Sequence, residues 1–311
     1  MGQCGPGRVF YFMADNKIPF LKPPLSVSDQ TALLQSRGLI IPDFERAKRY
    51  LSFVGYYRLA IYGKAFQIPD NPAHSFLPET TFDNVWNLYV FDRELRLLVM
   101  DPVERIEVAI RTAINNHMAL TYGPIWYTRA SLFKHGFDHE SLMTKIRHES
   151  GAPGSGRNGD VFCAAYFEKY SSPALPPCWM VAEILPMGVW SRVYQHLNAR
   201  SDRFAIADAV QIKSELLVSW LRSISYTRNL CAHHALLCTR AFTITPKLPP
   251  IHNNCDHRSV YAQLLILNHF LKKIVNSSRW SHRLKTHIDT CPISISRLGF
   301  PKNWSTQSTW S

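Results

Sequence analysis

The 311-residue chain has no cysteine pair at metal-binding or redox spacing; its seven cysteines stand at irregular intervals and none forms CxxC. An odd, scattered set excludes a disulfide framework and a zinc ribbon, and reduced thiols in a cytoplasm are the simplest account. Long apolar runs are missing too. No stretch reaches the roughly 18–20 residues of a membrane span, and the apolar run at residues 9–13 is too short for a signal peptide. Met1-Gly2 invites myristoylation, but Pro6 stands where serine or threonine is wanted. Residues 1–12 read as an irregular extension, with Met13 a candidate natural start. No Gly-rich loop follows a strand pattern, no Ser-His-Asp order suggests a triad, and no strand alternation persists. Acidic residues are scarce: 23 Asp+Glu stand against 35 Lys+Arg, a net charge of +12. That surplus favours a polyanionic partner.

What is present reads as helix. Hydrophobic residues make up 46% and charged residues 19%, ordinary values for a folded protein. Ser28 and Asp29 cap a helix to about Arg37, and Pro42-Asp43 opens a second carrying Phe44, Ala47, Leu51 and Val54. Gly55 interrupts it before an aromatic helix to about Phe66. The longest periodic segment, about residues 82–121, has an apolar stripe from Leu88 to Met118, with Pro102 expected to kink or divide it. A Gly-rich loop follows at 148–160. Shorter helices are expected over 161–170, 179–185 and 189–198, a long one over about 213–237, and a last one over 261–275. Residues 276–311 read as irregular. The fold class is all-α.

The chemistry concentrates in Arg228-Asn229-Leu230-Cys231-Ala232-His233, with His234 directly after it. Arginine is a permanent cation and histidine exchanges a proton near neutrality, which together suit work on a phosphodiester. On a helix Tyr226, Asn229 and His233 share a face, while Arg228 stands roughly 140° away from His233. Asn229 is spaced to orient the imidazole, and small Ala232 lets a neighbouring helix approach. Spacing alone favours the plainer alternative, an ordinary surface arginine and a satisfied polar histidine, because Arg-x4-His is short. Elsewhere, Glu107 and Arg111 are an i,i+4 pair, solvated or facing the motif helix. Asp92 and Arg96 read as pairing along their own helix. Tyr57 and Arg58 are candidates to stack on bases and pair with phosphates, with at least one of Tyr56 and Tyr57 in the core. His252-x2-Cys255-x-His257 lacks a fourth ligand, and His135, His139 and His148 are scattered about a loop, so no metal is expected.

The motif resembles the Arg-x(4–6)-His signature of HEPN-superfamily ribonucleases. An ordered series resembles one branch, the Abi-like abortive-infection (AbiD/AbiF) phage-resistance family. Its pieces are residues 51–62 with Tyr56-Tyr57-Arg58-Leu59, then Phe91-Asp92-Arg93-Glu94-Leu95-Arg96, residues 104–111, Tyr122-Gly123-Pro124-Ile125-Trp126-Tyr127, and Pro177-Cys178-Trp179. The resemblance covers about residues 22–250. It implies an N-terminal extension (1–21), an N-terminal helical module (22–78), an HEPN-like helical domain (79–275) and a C-terminal tail (276–311). It also implies a metal-independent endoribonuclease, a cytoplasmic toxin of antiphage defence that works as a homodimer without cofactor or membrane, restrained by a neutralising RNA or protein partner. On that reading His233 is the acid/base, Arg228 holds the scissile phosphate, Asn229 orients the pair, and His234, Glu107 and Arg111 support it. The alternatives are a non-catalytic RNA-binding sensor on the same fold and a DNA-binding regulator working through the N-terminal helices.

Overall fold

A computed structural model describes residues 21–252 and 255–310. Among these residues there are twelve α-helices and no strand, only three isolated β-bridges, so the all-α expectation holds. The expected N-terminal extension lies almost wholly outside the described residues. Residues 21–26 are exposed and non-helical.

The chain opens with α1 (Val27–Ser36), α2 (Phe44–Val54) and α3 (Tyr56–Gly63). Ser26 caps α1 by accepting from the Asp29 amide at 3.2 Å, and Asp43 caps α2 by accepting from the Arg46 amide at 2.9 Å. Gly55 separates α2 from α3 with φ +87°, a conformation that only glycine adopts without strain. These helices lean on α4 (Phe82–Tyr122), the 41-residue axis of the molecule, about 62 Å long. A capping box between Thr81 and Asn84 starts it. Its stripe of Leu88, Leu95, Val99, Val103, Ile106, Ile110, Ile114 and Met118 is fully buried, as the periodicity predicts.

Pro102 does not divide α4. Proline lacks the N–H that would bond the Leu98 carbonyl one turn back. The Trp280 indole donates to that carbonyl instead, at 2.7 Å. Trp280 opens α12 (Trp280–Ile288), inside the segment expected to be irregular. This segment buries Trp280, Trp304 and Trp310, and the Trp310 indole donates to the Tyr261 hydroxyl at 3.2 Å. Tryptophans spaced without a helical period carry no secondary-structure signal, yet here they pack as core.

The middle of the chain supplies α5 (His139–Ser150), α6 (Val161–Lys169), α7 (Cys178–Ile184), α8 (Met187–His196) and α9 (Arg200–Ala209). Neither α5 nor α9 was expected, because each is short and largely polar; α9 buries only Asp202, Ile206 and Ala207. His139 and His148, expected in a loop, therefore lie on α5. Then come α10 (Ser214–Ala232) and α11 (Val260–Ile274). α11 is apolar nearly all round and buried nearly all round. α10 packs between α8, α4 and α11. A Cβ at Gly188 of α8 would stand 3.2 Å from the Ser225 hydroxyl, so glycine permits that close approach. Toward α11, Gln263 accepts from Ser223 at 2.7 Å and from Thr227 at 3.1 Å, satisfying the buried hydroxyls of α10. No helix among the described residues is long and apolar enough to cross a membrane.

Candidate active site

The helix carrying the Arg-x4-His segment stops at Ala232, five residues before the expected end. His233 is its C-cap, with φ −92° and ψ 14°. His234 follows in the left-handed region at φ +55°, its amide donating to the Cys231 carbonyl at 3.1 Å and the Ala235 amide to the Leu230 carbonyl at 2.9 Å. This pair of bonds is a Schellman closure with histidine where glycine usually stands. No glycine marks this end in the sequence, so helical periodicity alone carries the expected helix past it.

Two further contacts hold this turn. Arg58 of α3 donates to the His234 carbonyl at 2.7 Å. Behind the turn lies Asp92, wholly buried on α4. Its carboxylate accepts from the Leu237 amide at 3.1 Å, the Cys238 amide at 2.6 Å, the Tyr62 hydroxyl at 2.7 Å and the Arg96 guanidinium. Arg96 also donates to the Ala235 carbonyl at 3.3 Å. A buried carboxylate needs this many donors, and two of the four come from the segment that follows the motif. Burial, and then the Asp92 charge, push the Tyr62 phenol well up, so it remains a donor. Burial pushes the Cys231 thiol up to about 12 and the Cys238 thiol higher still. Neither cysteine is a thiolate nucleophile at neutral pH. The Asp92–Arg96 pairing was expected; its grip on residues 235–238 was not, because the partners lie more than a hundred positions away in sequence.

Arg228 differs from its neighbours. It is half-buried, its Nε is shielded from solvent, and it has no hydrogen-bond or ion-pair partner among the described residues. Every other described arginine that is not fully exposed has a partner, Arg58, Arg96, Arg111 and Arg240 among them. Asn229, His233 and His234 are exposed. Along the helix Arg228 and His233 are about 7.5 Å apart. The Asn229 side chain does not bond His233, and the imidazole has no orienting partner among the described residues. Tyr226 is turned away, its ring against Phe242 and its hydroxyl accepting from Thr243 at 3.1 Å.

The remaining candidates separate. Glu107 and Arg111 do pair, at 2.9 Å, and Arg111 reaches the Ala182 carbonyl at 3.1 Å. They tie α4 to α7. Glu107 stands eleven residues beyond Arg96, about 16 Å along α4, and neither residue hydrogen-bonds α10. Tyr56 packs, accepting from Arg37 at 2.8 Å, whereas Tyr57 is exposed. His252 is buried, with its Nε2 3.0 Å from the Thr309 hydroxyl. No group of three or more metal-ligating side chains occurs among the described residues.

The elements that build this turn, α3, α4 and α10, fall inside one family match: the sequence profile of the Abi-like proteins covers residues 49–239. The chain belongs to the Abi-like protein family. The match spans more than half of the 311 residues and includes Arg58, Asp92, Arg96 and the whole Arg228–His233 segment. It makes the chain a protein of abortive-infection type. No curated protein and no solved structure gives a significant match. α11, α12 with its buried Trp280, and the buried Trp304 and Trp310 after them lie beyond the Abi-like region.

Proposed function

We propose that this Abi-like protein is a metal-independent endoribonuclease of HEPN type, acting in antiphage defence through Arg228 and His233. The carrying observation is the unpartnered, half-buried Arg228 guanidinium one turn below an exposed imidazole. A shielded cation without a protein partner is suited to an anionic ligand. The location strengthens this. The C-terminal end of a helix carries partial negative charge and repels phosphate. A phosphodiester held there needs cations; Arg228 lies in the last turns of α10 and Arg58 donates to the His234 carbonyl.

In the proposed reaction the ribose 2′-oxygen attacks phosphorus while His233 takes its proton. The P–O5′ bond breaks, and the 5′-oxygen leaves with a proton from a second imidazole. Arg228 holds the non-bridging oxygens as charge builds on them. The products are a 2′,3′-cyclic phosphate and a 5′-hydroxyl. One chain offers His233 without an orienting partner, so a second copy facing the first completes the site and makes the homodimer the working unit. A neutralising RNA or protein partner would act by covering this exposed turn.

The lack of an orienting partner is also what a non-catalytic RNA-binding sensor would present, and one experiment separates the two. Purified protein is incubated with labelled RNA and DNA of the same sequence in the presence of a chelator, followed by end-group analysis. Cleavage of RNA alone, with cyclic-phosphate ends and loss of activity in His233→Ala and Arg228→Ala, is the expected result. RNA binding with intact RNA under every trigger supports the sensor. Sequence-specific duplex DNA binding that survives His233→Ala supports a DNA-binding regulator.

A further inference from the structure

Two aromatic side chains next to the candidate site remain unused. Phe53, near the end of α2, is 84% exposed, and Tyr57, near the start of α3, is 82% exposed. They are the two most exposed aromatic residues described. Neither ring touches another ring, and the Tyr57 hydroxyl has no hydrogen-bond partner among the described residues. Leaving two large rings in water forgoes their burial, since each hides 150–250 Å² when packed. Gly55 lies between them, and its positive φ breaks the helix there. Four residues of chain cannot hold the two rings' backbones more than about 14 Å apart.

The surroundings are basic. Arg49 lies one turn before Phe53 on the same face of α2, exposed and without a partner. Arg58, adjacent to Tyr57, is the residue that grips the His234 carbonyl. It uses one of its five donors there and has others free. The aromatic pair is thus flanked by cations and joined directly to the turn carrying His233.

We propose that Phe53 and Tyr57 are a stacking platform for unpaired bases, with Arg49 and Arg58 on the adjoining phosphates, so that the site takes single-stranded RNA. The proposal rests on the nuclease reading above for its ligand and adds the strandedness of the substrate. Aromatic rings accept any base by its π-face but cannot reach bases stacked inside a duplex. Exposed rings framed by arginine on a chain of net charge +12 suit a polyanion with splayed bases.

The test uses the full chain carrying His233→Ala, so that RNA stays intact. Binding is followed by fluorescence anisotropy with an unstructured RNA of about 12 nucleotides, a length within the usual site size, and with the same strand annealed to its complement. The single strand is expected to bind at least tenfold tighter than the duplex. Phe53→Ala and Tyr57→Ala should each weaken binding about tenfold, as for loss of one stacked base. Phe53→Trp and Tyr57→Trp should retain it, which a change in folding would not. Arg49→Ala should lower the salt slope by about 1. Equal affinity for duplex and single strand overturns the proposal, as does binding that survives the double alanine variant. Conversion of a dimer to a monomer by that variant in sedimentation also overturns it, because the rings would then be a contact between copies. Cleavage by the unmutated chain is measured in parallel. Platform-dependent binding without cleavage supports the platform and sinks the nuclease; cleavage with platform-independent binding does the reverse.

Discussion

Two arginines near the end of α10 occupy opposite situations. Arg96 is buried beside Asp92, with Tyr62 and the Ala235 carbonyl completing its shell. Arg228 is half-buried with nothing opposite. Both belong to one packed region, so exposure to solvent alone does not explain the difference. Burying a charge is tolerated when partners surround it, and the Asp92 cluster follows that rule. Arg228 breaks it. The contrast separates the cation that holds the turn together from the one that has no protein partner among the described residues.

The largest effect is expected on the satisfied side. Asp92→Ala leaves Arg96 as a buried charge without its counterion and frees the Leu237 and Cys238 amides. Breaking such a pair costs about 3–5 kcal/mol, read as a lower midpoint in denaturant unfolding. An unfolding midpoint equal to that of the unmutated chain would mean the cluster does not carry the turn. The opposite partner should behave in reverse. Arg228→Ala removes an orphaned polar group, so stability should stay within about 0.5 kcal/mol. RNA cleavage should fall about 10²–10³-fold, as for the loss of one donor to a developing oxyanion. If Arg228→Ala instead destabilises the protein as strongly as Asp92→Ala, the distinction between the two arginines disappears.

The same contrast explains what could be read in the sequence. The stripe from Leu88 to Met118 was legible because helical periodicity is a local signal, and all of its central positions are buried. The Arg228–His233 segment stands out as candidate chemistry for the same reason, since its residue types lie together. Asp92 was legible only as half of an i,i+4 pair. Its other partners are 30, 145 and 146 positions away, and no local pattern reports them. Orientation was the least legible of all. Asn229 has the right spacing to orient His233 yet does not bond it, and the helix ends at Ala232 with His233 as its C-cap. Glu107 and Arg111 have ideal spacing for each other, but it says nothing about which helix they face, and that helix is α7.

A smaller effect tests the part of the molecule beyond the Abi-like region. Trp280→Phe keeps the ring but removes the donor to the Leu98 carbonyl, the group left open by Pro102. A buried acceptor without a partner costs about 1–3 kcal/mol. Pro102→Ala should recover part of that loss by restoring the helix's own bond, and the double variant, measured by denaturant unfolding, checks it. Recovery ties the loss to the carbonyl; absence of recovery assigns it to packing of the indole.

The smallest effect is the most discriminating for the candidate site. His234 sits at φ +55°, where a side chain costs about 1–2 kcal/mol relative to the right-handed region. Glycine removes that strain but adds about 0.5–1 kcal/mol of unfolded-chain entropy. His234→Gly should therefore stabilise the protein slightly, by up to about 1 kcal/mol, because the Schellman bonds and the Arg58 contact use only its backbone. The proposed assignment of the proton transfer to His233 adds a second expectation: cleavage by His234→Gly stays within a few-fold, while His233→Ala loses about 10²–10⁴-fold. A stabilised His234→Gly protein without activity would move the chemistry to His234, and the left-handed backbone there would then be strain retained at an active site rather than a helix cap that happens to be histidine.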